Sequence, residues 1–260
     1  MKKFALILGL QQSYLSKSDS LNLLMNYEIS CESKRLVAYF MLSGGLDSAV
    51  AAFYAKKELR PEILKAIFIS RLVEGADVHK AYLKEKLYAK MHAKWLGVSE
   101  KNFYEFKIPF SWYADFKRKQ ADIYPYGRNL VYIAVAASFI SMDMKLFDPQ
   151  GKAYLVLGFN RDDGHDAKKD FVHVMEKAIE LGTYKEYAMH KLIELYTPFI
   201  DEHKSSIIKY ASENKIDWVL KNSWSCYFSE DVHCGKCNGC VSRKEAFRIA
   251  GVPDPTEYKY

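Results

Sequence analysis

Ser43-Gly44-Gly45-Leu46-Asp47-Ser48 follows directly on the apolar run Leu36–Leu42, and its residue types suit the binding of an anion. Two adjacent glycines let backbone N–H groups close on a phosphate, which side chains would obstruct. Serine hydroxyls flank them, and a helix predicted from Ser48 to about Leu59 adds the partial positive charge of its N-terminus. The lysine and spacing of GxxxxGK[ST] are missing, so this is not the loop of P-loop kinases. The bland alternative is a Gly-Gly turn whose Asp47 and Ser48 only cap a helix.

A second cluster lies near the C-terminus. Of five cysteines, Cys226, Cys234, Cys237 and Cys240 follow the spacing C-x7-C-x2-C-x2-C. Gly235 and Gly239 let the backbone fold under a metal, as in a zinc knuckle. Four thiolates with no open position describe a closed structural zinc site rather than a catalytic one. An iron–sulfur cluster is the alternative, since C-x2-C-x2-C also occurs in ferredoxin-like runs. Disulfides belong to exported proteins, and no export signal is read here. His233 is expected beside the metal but not on it, and Cys31 as an ordinary thiol.

These residues need a frame to hold them. Apolar runs at 36–42, 63–70, 102–108, 153–157 and 191–196 read as strands. Between and after them, helices are predicted at 48–59, 80–96, 130–142, 171–181, 205–214 and 242–250. Such alternation implies an α/β fold with a doubly wound, mostly parallel sheet, whose ligands bind at the carboxyl ends of the strands. The 130–142 helix is apolar all round and is expected to be buried. The aromatic stretch 110–126 is expected to serve the core. Three parts are delimited: an N-terminal extension (1–35), a nucleotide-binding α/β domain (36–222) and a cysteine segment packed on it (223–260).

Among 260 residues, 38 basic and 32 acidic side chains leave a net charge of +6 without a dense basic tract. That balance favours anionic small molecules such as nucleotides and leaves nucleic-acid contact open. Phe4–Leu10 imitates a signal peptide only faintly and reads better as a strand. No stretch is expected to reach the ~20 apolar residues that span a bilayer, so a cytoplasmic protein without membrane contact is expected.

The strand followed by SGGLDS resembles the ATP pyrophosphatase, or PP-loop, family, which activates carbonyl or carboxyl groups as adenylates. Within it, the chain is similar to the 7-cyano-7-deazaguanine synthases from about Leu36 to Tyr258. The residues that carry the likeness are Ser225-Cys226-Tyr227, Cys234-Gly-Lys-Cys237-Asn-Gly-Cys240, Arg243, Ala246-Phe247 and Asp254-Pro255-Thr256, with Gly127-Arg128-Asn129 and Gly158-x-Asn160-x-x-Asp163. The resemblance implies an ATP-dependent carbon–nitrogen ligase of queuosine biosynthesis that turns a deazaguanine carboxylic acid into an amide and nitrile with ammonia. It implies ATP held by Leu42, Ser43, Gly44, Gly45, Leu46, Asp47, Ser48 and Ala49, with Ser43, Asp47, Ser48 and Arg128 serving catalysis. Substrate would meet Arg128, Asn129, Asn160, Asp163, Asp166 and Lys168; Mg2+ would accompany ATP; Cys226, Cys234, Cys237 and Cys240 would hold Zn2+. A homodimer is implied as well. The family's Tyr-Gly-Gln-Arg-His segment is replaced by Ile69–Glu74, and its loop after Asp163 is shortened to Gly164–Lys168. Those two departures keep a second reading open, in which a protein or tRNA accepts the activated group.

Overall fold

Five short apolar segments pair side by side in the computed structural model, which describes residues 35–72, 78–109, 127–148, 151–183, 192–229 and 231–260. They are β1 (Leu36–Met41), β2 (Ile63–Leu72), β3 (Phe103–Pro109), β4 (Lys152–Val156) and β5 (Ile193–Tyr196). Their order across the sheet is β3-β2-β1-β4-β5 and every pairing is parallel. The chain therefore winds outward in one direction from β1, then returns to β4 and winds in the other. That reversal beside β1 is where such sheets open a crevice at their carboxyl edge.

β1 is buried on both faces, as an unbroken apolar run in a central parallel strand requires. Val37 and Tyr39 enter one core layer, Ala38 and Phe40 the other. Among the described residues seven helices accompany the sheet: α1 (Leu46–Leu59), α2 (Val78–Leu96), α3 (Arg128–Phe147), α4 (Lys169–Gly182), α5 (Lys204–Glu213), α6 (Asp217–Lys221) and α7 (Asn238–Ala250). Helix α1 buries Ala49, Ala51, Ala52 and Ala55, small side chains that admit the helix close to the sheet. It joins Phe40, Phe68, Ile207 and Phe247 in one layer; α3 and α4 pack on Tyr39 and Leu155 in the other. Fully burying a side chain such as Phe40 or Phe68 contributes about 1.5–3 kcal/mol.

Several sequence expectations need correction. Helix α1 starts at Leu46, two residues early, because Gly45 and not a side chain occupies its N-cap. Helix α7 starts inside the cysteine cluster, with Cys237 at its N-cap, and α6 was not foreseen. Helix α3 is longer than expected and not buried all round: Ile133, Ala136, Ile140 and Met144 face the core, while Leu130, Met142 and Leu146 are exposed. By length and composition Arg128–Leu146 is apolar enough to cross a membrane, contrary to expectation. Its core-facing residues and Asp143 tie it to the sheet instead, since the Asp143 carboxylate accepts from the Tyr39 hydroxyl and the Lys65 ammonium. Burial and this carboxylate together push the Tyr39 hydroxyl far above its usual range. The expected strand at 4–10, the N-terminal extension, Cys31 and the aromatic stretch 110–126 lie outside the described residues.

Candidate nucleotide site and four-cysteine centre

The carboxyl ends of β1, β2 and β4 border a cavity of about 490 Å³. Leu42, Ser43, Gly45, Leu46, Asp47 and Ser48 line it from the β1–α1 turn. The serines shape that turn: Ser48 Oγ accepts from Ser43 N–H at 3.2 Å and lies 3.1 Å from both Ser43 Oγ and the Gly45 carbonyl. Gly45 N–H donates to Ser43 Oγ at 3.3 Å. No side chain caps α1, so its first turn presents N–H groups toward the cavity. Gly44 adopts φ +80°, and a Cβ there would lie 2.2 Å from the Glu85 carbonyl oxygen. A Cβ on Gly158, just past β4, would lie 2.5 Å from Ser48 N. Both glycines are thus demanded by backbone that approaches too closely for any side chain.

Arg128 and Asn129, at the start of α3, also line the cavity, as do Asp163 and Asp166. Asn129 is engaged from both ends: its N–H donates to Asp166 Oδ2 at 3.3 Å and its Nδ2 to the Asp166 carbonyl at 3.0 Å. Asp163 accepts from Asn160 N–H at 3.0 Å. Burial, then the charge of Asp47, pushes its carboxyl up to about 6. Four expected site residues sit apart from the cavity lining. Ala49 is fully buried in the core, and Gly44 supports the turn from behind. Asn160 is buried and accepts from Asp162 N–H, while Lys168 donates to the Arg161 carbonyl. The last two shape the loop after β4 from within.

Lys204 and Trp224 line the same cavity and were not singled out from sequence. The Lys204 ammonium lies against Asp47 Oδ2. A signal existed in principle: a lysine at the first position of a helix opposes the helix dipole and needs a nearby reason. Trp224 comes from the segment leading to the cysteines, and its N–H donates to the Gly44 carbonyl at 2.9 Å. Arg243 on α7 secures that segment. Fully buried, it donates to Ser223 Oγ at 2.8 Å, Ser225 Oγ at 3.3 Å, Thr256 Oγ1 at 2.6 Å and the Leu220 carbonyl. The four-cysteine segment therefore forms one wall of the cavity.

The sulfurs of Cys226, Cys234, Cys237 and Cys240 all lie within 4.8 Å of one another, with Cys234–Cys240 at 3.9 Å and Cys237–Cys240 at 3.5 Å. A single ion with metal–sulfur bonds of ~2.3 Å needs tetrahedral sulfur separations of about 3.8 Å. A cubane cluster, ligated at its corners, would hold them farther apart. Cys234 N–H and Cys237 N–H each point at a cysteine sulfur, at 3.3 Å. Gly235, at φ +78°, and Gly239 leave no room for a Cβ against the Tyr260 and Ser225 carbonyls. His233 Nε2 accepts from Ser225 N–H at 3.1 Å, so this nitrogen is turned to the backbone. The donor set fits one tetrahedral metal ion.

A glycine-rich anion loop at the reversal point of an all-parallel sheet, joined to a four-cysteine wall, defines an ATP-using α/β protein of the PP-loop class. The chain belongs to the queuosine biosynthesis protein QueC family, which matches residues 37–251. Curated relatives named 7-cyano-7-deazaguanine synthase bear this out. The one from Caldicellulosiruptor saccharolyticus is 28% identical over 249 residues, covering 85% of this chain and 95% of its own. The one from Sulfurimonas denitrificans is 28% identical over 240 residues, covering 86% and 98%. Among solved structures, NMN synthetase from Francisella tularensis aligns at TM-score 0.41 and 14% identity over 92% of this chain and 88% of that one, too distant to define a relationship.

Proposed function

We propose that this protein is an ATP-dependent ligase of the 7-cyano-7-deazaguanine synthase type. A substrate carboxylate oxygen attacks the α-phosphorus of ATP, the bond to the bridging oxygen breaks, and pyrophosphate leaves with the electron pair. Ammonia then attacks the acyl carbon and AMP departs; a second ATP adenylates the amide oxygen with release of pyrophosphate, and AMP leaves with that oxygen as the two amide protons are lost, giving the nitrile. The observation that carries this reading is the β1–α1 turn, whose uncapped helix start and two serines face a cavity large enough for a nucleotide. Charge that develops on the phosphates meets donors already in place, which is the largest single source of catalysis in such reactions.

In this reading Arg128, whose guanidinium is a fixed fork of donors, binds a phosphate or the substrate carboxylate. Asp163 accepts from the amino and ring N–H groups of a guanine-like base, and Asp166 holds Asn129 at the mouth of the cavity. A divalent cation suits Asp47, because its Oδ1 is buried without a hydrogen-bond partner among the described residues; Mg2+ there would offset phosphate charge. Zn2+ suits the four cysteines on the sulfur spacing given above, and it would brace the Trp224 wall. The test is incubation of the purified protein with ATP, Mg2+, ammonia and 7-carboxy-7-deazaguanine. AMP and a nitrile product by mass spectrometry are expected. Absence of any AMP above the substrate-free control refutes the reading.

A further inference from the structure

Helix α2 carries an apolar ridge on its outer side. Leu83, Leu87, Met91 and Trp95 recur every four residues, so they stand one above the other over about 18 Å of helix. Leu83 is 54% exposed and Leu87 50%, while Met91 and Trp95 are half-buried. Trp218 of α6, 39% exposed, extends the ridge. Its ring stacks on Trp95 at 5.7 Å and 23°, and Trp95 stacks in turn on Phe53 of α1 at 5.5 Å and 23°. The fully buried His92 meets Trp218 edge-on at 6.2 Å. Trp218 is thus held in one orientation by rings from two other helices. A braced, partly exposed tryptophan beside two exposed leucines is unfavourable in water and loses little freedom when a partner covers it.

The same face is basic. Between Ala81 and Leu96, α2 has four lysines, Lys84, Lys86, Lys90 and Lys94, and one acid, Glu85, which lines the nucleotide cavity. Lys86 is paired with Glu105 of β3, and Lys84 lies over the Trp224 ring at 5.7 Å. Lys90 and Lys94 are exposed, share the outward side with Leu83 and Leu87, and form no ion pair among the described residues. Asp217 and Lys221 on α6 offset one another in charge.

These features discriminate among occupants. A second copy of α2 would set lysine against lysine, which disfavours self-pairing. A bilayer needs an apolar face free of charge, and Lys90 and Lys94 interrupt this one. A nucleic acid would engage the lysines and leave the leucine–methionine ridge unused. An acidic amphipathic helix answers both: its apolar residues fill the spaces along the ridge while its flanking carboxylates meet Lys90 and Lys94. We propose that the α2–α6 face, from Leu83 to Trp218, is the docking site for an acidic amphipathic helix of a partner protein. The surface lies outside the nucleotide cavity, so the inference goes beyond the ATP-using reading. Lys84 joins it to the Trp224 wall, which sets the partner beside that cavity.

The test is fluorescence anisotropy of two labelled synthetic helices of about 18 residues, titrated with the full chain. Both carry leucine at i, i+4 spacing; one has glutamate and the other lysine at the flanking positions. The glutamate helix is expected to bind and the lysine helix is not. Leu87→Glu and Trp218→Ala are each expected to weaken the glutamate helix by about tenfold or more. Leu146→Glu, at an exposed position of α3, should leave it unchanged. Lys90→Glu/Lys94→Glu should reverse the preference, so that the lysine helix binds. Leu87 is half exposed, so its variant should fold, as circular dichroism will show; should Trp218→Ala unfold, Leu87→Glu and the lysine reversal decide. Equal binding of both helices, no binding of the glutamate helix, or a preference unmoved by the reversal overturns the proposal. So does a loss, on Leu87→Glu, of self-association in sedimentation, of binding to phosphatidylserine vesicles or of binding to single-stranded RNA, since each assigns the face to a different occupant. ATP turnover enters none of these measurements, so this proposal and the proposed activity fail separately.

Discussion

Gly158→Ala isolates the close approach of β4 to the nucleotide turn. Gly158 does not lie in the left-handed region, so alanine meets no backbone strain there, and by itself the change would stabilise by about 0.4–1 kcal/mol through the unfolded chain. The steric term opposes this. The new methyl would lie 2.5 Å from Ser48 N, 2.6 Å from Ser48 Cα and 2.7 Å from the Asp47 carbonyl carbon, all backbone atoms that no rotamer can move away. Ordinary contact begins near 3.4 Å, so the start of α1 must shift by about 0.9 Å. Overpacking of this kind costs about 1–3 kcal/mol, or about 2–12 °C in Tm for a unit of this size. A displacement near 1 Å at a positioning element lowers turnover about 100-fold. Thermal melts and single-turnover AMP formation measure the two effects. Gly182→Ala, with nothing among the described residues within 4 Å of the added Cβ, is the control and should be neutral or slightly stabilising. A Gly158→Ala protein with wild-type Tm and wild-type AMP formation refutes the argument that this contact sets the turn.

Three more outcomes are expected. Asp143→Ala leaves the Lys65 ammonium, whose side chain is 7% exposed, without its carboxylate, and urea unfolding should show a loss of about 3–5 kcal/mol; a loss under 1 kcal/mol contradicts the buried triad. Asp163 binds its proton more tightly folded, at about 6, than unfolded, at 3.8. Stability therefore falls as pH rises through that window, and the buried His92, lowered to about 4, acts in the opposite sense over a similar range. The difference between Asp163→Asn and wild type separates them: it should be near zero at pH 3.5 and reach about 3 kcal/mol in favour of the variant by pH 7. A flat difference would show that Asp163 ionises as it does in the unfolded chain. Lastly, elemental analysis should find one zinc per chain, and stripping it with a chelator should weaken ATP binding because Trp224 N–H donates to the Gly44 carbonyl. Unchanged ATP affinity in the metal-free, folded protein would break that link.

Much of the frame was legible because its signals are local. An unbroken apolar run such as Leu36–Met41 suits a strand buried on both faces, and a helix that ends at Gly97 or Gly251 carries its own stop signal. The cysteines were legible for the same reason, three of the four lying within one turn and the start of a helix. What escaped depends on partners distant in sequence. Composition makes α3 look wholly buried, yet only the stripe from Ile133 to Met144 meets the sheet. Asn160 and Lys168 have polar side chains suited to a ligand, but the loop after β4 uses them on its own backbone. Lys204 lies 157 positions from Asp47, and nothing short of the folded chain brings them together. Glycines mark the reverse case: Gly44 and Gly158 stood out by type, while the atoms that demand them, on Glu85 and Ser48, did not.

The anion turn grows out of the middle strand of the sheet, with two strands on either side. That strand is the last part of the molecule to open, and its ladder amides should resist hydrogen exchange in the free protein as strongly as any in the core. A nucleotide entering the cavity would add little protection to β1. The gain would fall on the Trp224 wall and the first turn of α5, so exchange kinetics would register occupancy at the cavity's rim and hardly at all in the strand that supports it.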